Sequence, residues 1–310
     1  MKKIVFSLTL VVAICACAVM TISAREKEKE TEKRFTFRTV IFPGDTFTQL
    51  LGINDFEVIA GYHGANVNKG FVFTFRNGFT PENFPGSAQT QVIGINNRGF
   101  TDGFFIDMAG LTHGFLDING TFTTVDFPPF TFNQLLGLNN FDQAAGYYMN
   151  LPPTGIDTPY IFDNNGGVFC RFRIPLATGG AQATGINDKG SISGFYIDSA
   201  GKNHGFLLAN GKFTTLDFPG ATLTQAFGLN NEDDVVGQYI DAAGLTHGFI
   251  FDDGHFQSVD DPEGVGTTTI NGINNRGEVV GFFLDAAGHT DGFVARFRRE
   301  HGDGREHEDD

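Results

Sequence analysis

A three-residue pattern, Gly followed by Ile or Leu and then by Asn, recurs six times in this chain of 310 residues. Successive copies lie 42 to 48 residues apart, and another glycine follows nine residues after the first glycine of every copy. Self-similarity at such a period is typical of repeat architectures, in which each copy folds as one small unit and stacks on its neighbours. The copies begin at Gly52, Gly94, Gly137, Gly185, Gly228 and Gly272.

Two further signals divide each copy into four short strands, which we name a to d. Strand a ends at the triplet, and strand b carries the second glycine. Strand c carries a His-Gly-Phe signal, clearest at His113, His204 and His247. Strand d has Phe, an aliphatic residue three positions later and Pro six positions later, as in Phe213 to Pro219. Asn-Gly, Asn-Asn-Arg-Gly and Asp-x-Ala-Gly segments predict tight turns between the strands, since Asn and Gly tolerate a positive φ.

Strand b predicts how the copies pack. In Val279 to Leu284 both alternating sets of side chains are apolar or glycine. A strand that is apolar on both faces is buried on both faces, so each four-stranded sheet must lie between two others. A linear stack of such sheets would leave two apolar ends exposed to solvent.

The order of the strands in the first and last copies shows how the exposed apolar ends are avoided. A strand of type d, Phe37 to Pro43, precedes the first strand a, whereas the sixth copy stops at Phe297 without a strand d of its own. Pairing the N-terminal strand with the last copy closes a ring. We therefore predict an all-β fold, a six-bladed β-propeller of four-stranded antiparallel blades over residues 35–297, with about 44 residues per blade.

The triplet, the glycine nine residues later and the His-Gly-Phe signal resemble the HAF-type extracellular repeat of secreted bacterial proteins. The resemblance covers essentially all of residues 35–297. The third motif here is His-Gly-Phe rather than His-Ala-Phe, and three of the six copies lack its histidine. The resemblance implies a secreted repeat protein and no particular reaction.

The N-terminal segment is typical of a secretory signal peptide. Two lysines precede an uncharged apolar run from Ile4 to Met20. We predict that residues 1–24 are cleaved off and that the protein is extracellular or on the cell surface. A retained anchor and a lipoprotein modified at Cys17 are the alternatives. We expect residues 25–34 to form a charged spacer and residues 298–310 a charged, disordered tail.

The charge balance excludes some classes of partner. The formal net charge is −15, from 21 basic and 36 acidic residues. A chain this acidic offers no electrostatic surface for nucleic acid, or for an anionic membrane beyond the signal segment. We expect a monomer that carries no cofactor and no metal. Its expected partner is a neutral glycan, a peptide or a small molecule.

Three blades place an aspartate of the b–c turn near the histidine of strand c. Such a pair could serve as a general base or as half of a metal site. The alternative is a hydrogen bond that rigidifies the hairpin, which the repetition favours because a catalytic pair would normally occur once. We assign no catalytic residue. The pairs, kept as candidate binding residues, are Asp107 with His113, Asp198 with His204, and Asp241 with His247.

The asparagines of the triplets occur in every blade. One interpretation is a ring of ligand-binding amides. The favoured interpretation is a side chain that caps its own a–b turn, because a turn residue is needed once in each blade and a ligand-binding residue is not.

The third blade has a long, proline-rich b–c connection, Met149 to Asp157. Antiparallel order places the b–c and d–a connections on one face of the disc and the a–b and c–d turns on the other. Loops inserted on one face of a repeat array often carry binding specificity. We therefore predict that a ligand binds the b–c face near the channel mouth, with Tyr147, Tyr148, Met149 and Asp157 as contacts.

Cys170 is the single cysteine that remains after loss of the signal segment. It follows Phe169 in an apolar strand pattern, which predicts a buried and unreactive thiol.

The favoured function is a secreted or cell-surface, non-catalytic propeller that acts as a binding or scaffold module. The alternative is a secreted propeller enzyme acting on a carbohydrate or another small polar substrate at the central channel. A channel lining that repeats from blade to blade would favour the module. A polar constellation confined to one blade would favour the enzyme.

Overall fold

The computed structural model of the protein describes residues 35–129, 132–149 and 155–297. The predicted signal segment, spacer and tail lie outside these residues. Thr36–Arg296 forms one compact unit. The other unit, Met1–Phe35 with Phe297–Asp310, lies outside the described residues except for its members Phe35 and Phe297. Within the described ranges no helix has the length and apolarity that a membrane crossing needs.

The described residues form 24 β-strands in six antiparallel sheets of four strands each. Within each blade the strands pair in the order a-b-c-d, so the predicted all-β, six-bladed propeller is confirmed.

The first strand is β1 (Phe35–Val40). Blade 1 contains β2 (Thr48–Ile53), β3 (Ile59–His63), β4 (Lys69–Thr74) and β5 (Gly78–Pro81). Blade 2 contains β6 (Gln89–Ile95), β7 (Thr101–Ile106), β8 (Thr112–Ile118) and β9 (Thr121–Val125). Blade 3 contains β10 (Asn133–Leu138), β11 (Gln143–Met149), β12 (Asp157–Asp163) and β13 (Val168–Arg171). Blade 4 contains β14 (Gly180–Ile186), β15 (Ile192–Ile197), β16 (Asn203–Ala209) and β17 (Lys212–Leu216). Blade 5 contains β18 (Leu223–Leu229), β19 (Val235–Ile240), β20 (Thr246–Asp252) and β21 (His255–Val259). Blade 6 contains β22 (Thr268–Ile273), β23 (Val279–Leu284) and β24 (Thr290–Phe297), together with β1.

The N-terminal strand closes the ring. Blade 6 has the strand order β1-β24-β23-β22, so β1 serves as the strand d that the sixth repeat lacks. The rings of Phe37 in β1 and Phe293 in β24 lie 5.4 Å apart. The closure predicted from the phase of the repeats is confirmed.

The hydrophobic core lies between neighbouring blades. Between blades 6 and 1, for example, Val280 and Val294 pack in one cluster with Leu50 and Phe71. The aromatic residue of the strand c motif has no exposed surface in any blade, and in blade 3 it is Tyr160. Strand b is buried on both faces, as its sequence predicts, since the neighbouring residues Val279 and Val280 of β23 both have no exposed surface. In the other blades the aromatic residue of the strand c motif is a phenylalanine with no exposed surface: Phe71, Phe115, Phe206, Phe249 and Phe293.

The repeated glycines mark places where two backbones touch. A Cβ atom on Gly137 would lie 2.9 Å from the Cα atom of Gly185 in the next blade. On Gly272 it would lie 3.2 Å from the Cα atom of Gly52, which completes the circle of inner strands. The second glycine of each copy lies against a backbone carbonyl of strand a, as Gly281 does. Glycine recurs because a side chain has no room at either position.

Cys170 corrects one expectation. It lies in β13, the outermost strand of blade 3, and is exposed. Its neighbour Phe169 packs against the core cluster between blades 2 and 3. Successive side chains of a strand point to opposite faces, so Cys170 points away from that cluster. The prediction of a buried thiol is wrong.

Candidate functional site: a neutral funnel on the channel axis

The asparagines of the triplets cap the a–b turns. The side-chain oxygen of Asn54 accepts hydrogen bonds from the backbone N–H groups of Phe56 and Val58, at 2.9 and 3.0 Å. The same two bonds occur in the other five blades. The predicted capping role is confirmed.

The amide groups of the same asparagines join the blades, which the sequence analysis did not predict. Nδ2 of Asn54 donates to the backbone carbonyl of Asn96 at 2.9 Å, and the series continues around the ring until Asn274 donates to the carbonyl of Asn54 at 3.1 Å. A second ring runs through the following residues, beginning with the N–H of Asp55 and Oδ1 of Asn97 at 2.9 Å. We call these two rings the asparagine belt. They surround a space of about 80 Å³ at this end of the channel.

Towards the face with the b–c and d–a connections, the channel widens into a cavity of about 310 Å³, which we call the funnel. Its wall is formed by alternate residues of strand a and, in blades 1, 2 and 4, by the residue after the second glycine of strand b. Three positions before the triplet glycine, five blades have glutamine and the sixth has Thr269. This regularity is present in the sequence, but the repeat signals described above do not include it. The lining residues are Gln49, Leu51, Tyr62, Gln91, Ile93, Phe104, Gln134, Leu136, Gln182, Thr184, Phe195, Gln225, Phe227 and Asn271.

Hydrogen bonds orient the amides of the funnel. The Tyr62 hydroxyl donates to Oε1 of Gln49 at 2.6 Å. The Tyr147 hydroxyl donates to Oε1 of Gln134 at 2.8 Å. Side chains that are already held in place lose less conformational entropy when a ligand binds.

The described lining of the funnel carries no charged side chain. Burial raises the pKa of Tyr62 to about 12. Burial, with a smaller contribution from the charge of Asp157, raises the pKa of Tyr147. Both tyrosines therefore stay neutral at physiological pH. Such a wall suits a neutral polar ligand, and its described residues include no carboxylate, histidine, cysteine or lysine for acid–base chemistry near pH 7.

The predicted Asp–His pairs are formed, and each belongs to a three-residue arrangement that we call a brace. In blade 2, Nε2 of His113 lies 3.5 Å from Oδ2 of Asp107, and its Nδ1 lies 2.7 Å from Oδ2 of Asp126, directly after strand d. Asp107 also accepts a hydrogen bond from the backbone N–H of Leu111, which is the main reason why its pKa is lowered. The equivalent braces join His204 to Asp198 and Asp217, and His247 to Asp241 and Asp260.

The braces connect the b–c turn to the end of strand d within one blade. None of the six predicted Asp and His residues is among the described residues that line the funnel. The geometry therefore accounts for them as parts that hold the hairpin in place. A part in binding stays a prediction.

The four predicted contact residues of blade 3 do not form one surface. Tyr148 is 2% exposed and belongs to the core between blades 2 and 3, so it is not available as a surface anchor. Tyr147 lies on the opposite face of β11 and directs its hydroxyl to the funnel glutamine of its own blade. Met149, at the end of β11, is half-buried. Asp157 is half-buried and accepts a hydrogen bond from Nε2 of Gln182 at 2.6 Å, so it adjoins the funnel.

No family model matches the chain, and no curated protein matches it in sequence. Solved structures match its fold. A putative TolB from Agrobacterium tumefaciens has a TM-score of 0.58 at 10% identity, covering 86% of this chain and 99% of that one. Virginiamycin B lyase from Staphylococcus aureus has a TM-score of 0.51 at 11% identity, covering 85% and 100%. A lectin from Aleuria aurantia in complex with Fucα1-6GlcNAc has a TM-score of 0.50 at 8% identity, covering 81% and 93%.

At these identities the similarities show the fold alone. The similar structures include a lectin and a lyase, so the fold by itself does not separate a binding module from an enzyme. The resemblance to the HAF-type repeat stays a prediction. What is established is an all-β propeller of six four-stranded blades, closed by its N-terminal strand.

Proposed function

We propose that the protein is a secreted or cell-surface, non-catalytic propeller that binds a neutral saccharide in the funnel. The supporting observation is the lining of the funnel, in which amides and aromatic side chains recur around the axis. None of its described residues is charged. Primary amides both donate and accept hydrogen bonds, as sugar hydroxyls require. Aromatic side chains such as Phe104 and Phe195 add apolar surface for the C–H faces of a sugar ring.

The repetition of the lining favours binding over catalysis. Glutamine stands at one strand position in five blades, so the polar groups are spread around the axis rather than gathered in one blade. A hydrolase or lyase site would instead need a nucleophile or an acid–base pair of suitable pKa at one place. The location outside the cell rests on the predicted signal segment.

A screen of the full chain against neutral and acidic glycans, followed by calorimetry with the best neutral glycan, tests the proposal. The double variant Gln91→Leu/Gln225→Leu removes two amides from different blades. We expect affinity to fall about tenfold or more, because each lost hydrogen bond contributes about 1 kcal/mol. Gln257→Leu, which makes the same change in the outermost strand β21, should bind like the wild type.

Two results would contradict the proposed function. One is a neutral glycan that binds the funnel variant and the wild type equally well. The other is time-dependent cleavage of the bound glycan, detected by mass spectrometry, because it would make the protein an enzyme.

A further inference from the structure

Blade 3 lacks the brace that blades 2, 4 and 5 share. Thr158 occupies the position of the histidine, two residues before the aromatic core residue of strand c. Arg173 lies two residues before Pro175, where those three blades have an aspartate two residues before the equivalent proline. The charge at the end of strand d is therefore reversed from negative to positive in this blade.

A cleft of about 570 Å³ lies at this place, and both Thr158 and Arg173 line it. In blades 2, 4 and 5 the brace histidine stacks on an aromatic side chain of strand b, at centroid distances of 5.0 to 5.1 Å. The aromatic residue at that position in blade 3 is Tyr148, which also lines the cleft. Threonine has no aromatic ring, so Thr158 cannot stack on Tyr148 as the brace histidines stack on the equivalent residues. The cleft is larger than the funnel and than the space inside the asparagine belt.

The charged side chains that line the cleft are mainly basic, whereas the chain as a whole is acidic. Arg171 and Arg173 are exposed, line the same cleft and make no ion pair with a described carboxylate. Asp157 is the one carboxylate among the described lining residues, and its Oδ2 is occupied by the hydrogen bond from Gln182. The described lining thus holds two positive charges against one negative charge. The cleft is therefore locally positive in a chain whose formal net charge is −15.

We propose that this cleft between blades 3 and 4 binds a small hydroxylated carboxylate, of the class of the sugar acids, through Arg171 and Arg173. A guanidinium group matches a carboxylate with two parallel hydrogen bonds. Thr178 lines the same cleft and supplies a hydroxyl partner for the rest of the ligand. This site goes beyond the proposed function, because the funnel lining carries no described charge and favours neutral ligands.

Calorimetry of the full chain with digalacturonate and with its dimethyl ester tests the site, because the two probes differ only in charge and the two methyl groups. We expect the free acid to bind at least tenfold more tightly than the ester, and the difference to shrink as salt is added. Arg171→Gln/Arg173→Gln should abolish the difference. Arg76→Gln is the control, an exposed arginine outside the cleft that removes one positive charge and should keep the difference.

A second variant gives blade 3 the residue types that blades 2, 4 and 5 have at two positions of the brace. Thr158→His/Arg173→Asp restores the histidine and the strand-d aspartate of the brace, without the aspartate of the b–c turn, and fills part of the cleft. We expect it to melt like the wild type and to lose the preference for the acid. Retention of that preference would overturn the proposal, as would equal binding of acid and ester by the wild type, or an equal loss in Arg76→Gln. Gln91→Leu/Gln225→Leu should keep the preference, so a failure of the funnel proposal is distinguishable from a failure here.

Discussion

At the scale of single residues, one buried and one half-buried carboxylate distinguish the packing around blade 2. Asp102 has no exposed surface, and its Oδ1 accepts a hydrogen bond from the N–H of Gly94 at 2.8 Å. Burial raises its pKa to about 7. Burial also raises the pKa of Glu82, which accepts a hydrogen bond from the Thr101 hydroxyl, to about 7. In the other blades the position of Asp102 is occupied by Ala60, Ala145, Ser193, Val236 and Val280.

We predict that these carboxylates make the protein more stable in mild acid than in mild base. The folded protein holds the proton of Asp102 more tightly than the unfolded chain, in which the pKa is near 3.8. Its contribution is fully present below about pH 4 and is lost as the pH rises to about 7. Each unit of pKa difference corresponds to about 1.4 kcal/mol in the free energy of unfolding. Urea unfolding at about pH 5 and about pH 8 measures the loss.

The variant Asp102→Asn isolates one of the two groups. It keeps an oxygen for the N–H of Gly94 and cannot ionise, so its stability should fall less than that of the wild type between the two pH values. Asp253→Asn is the matched control, since Asp253 is an exposed turn residue with a φ of 47° that asparagine also adopts. A fall in Asp102→Asn as large as in the wild type would show that Asp102 does not carry the effect.

At the scale of the elements, the a–b hairpin both ends a strand and joins two blades. Asn54→Ala removes two turn-capping bonds and the bond to the carbonyl of Asn96, so we expect the free energy of unfolding to fall by about 2 kcal/mol. Asn54→Ser keeps a capping oxygen, adds no charge and loses the amide that donates to the next blade, so we expect a smaller fall. Urea unfolding of both variants separates the two roles. If Asn54→Ser is as stable as the wild type, the asparagine belt does not stabilise the ring.

The strands and blades could be predicted because their signals are local. Glycine recurs where two backbones touch, and Asn caps a turn only three or four residues long, so both leave a regular trace in the sequence. The exposure of Cys170 could not be predicted in this way, because the pattern of one strand does not say which of its faces lies outward. The funnel glutamines resemble ordinary polar residues of a strand. Only the closed ring brings Gln49, Gln91 and Gln134 onto one cavity.

At the scale of the whole molecule, stability depends on a contact between the two ends of the folded region. Strand β1 forms the outer edge of blade 6, and the inner strands of blades 6 and 1 meet at Gly272 and Gly52. Each blade is buried on both sides by its neighbours, so an open ring would expose apolar surface and a free strand edge. Exposed edges promote aggregation. Closure by β1 is therefore expected to hold the whole ring together.

Deletion of residues 35–44 tests whether β1 closes the ring, because it removes β1 and bares the edge of β24 (Thr290–Phe297). Deletion of residues 301–310, which removes the same length of chain outside the described residues, is the control. Thermal and urea unfolding should show the control melting like the wild type. The deletion of β1 should lose cooperative unfolding or several kcal/mol of stability, on the scale of other core losses. If it unfolds with the midpoint and cooperativity of the wild type, β1 does not close the ring.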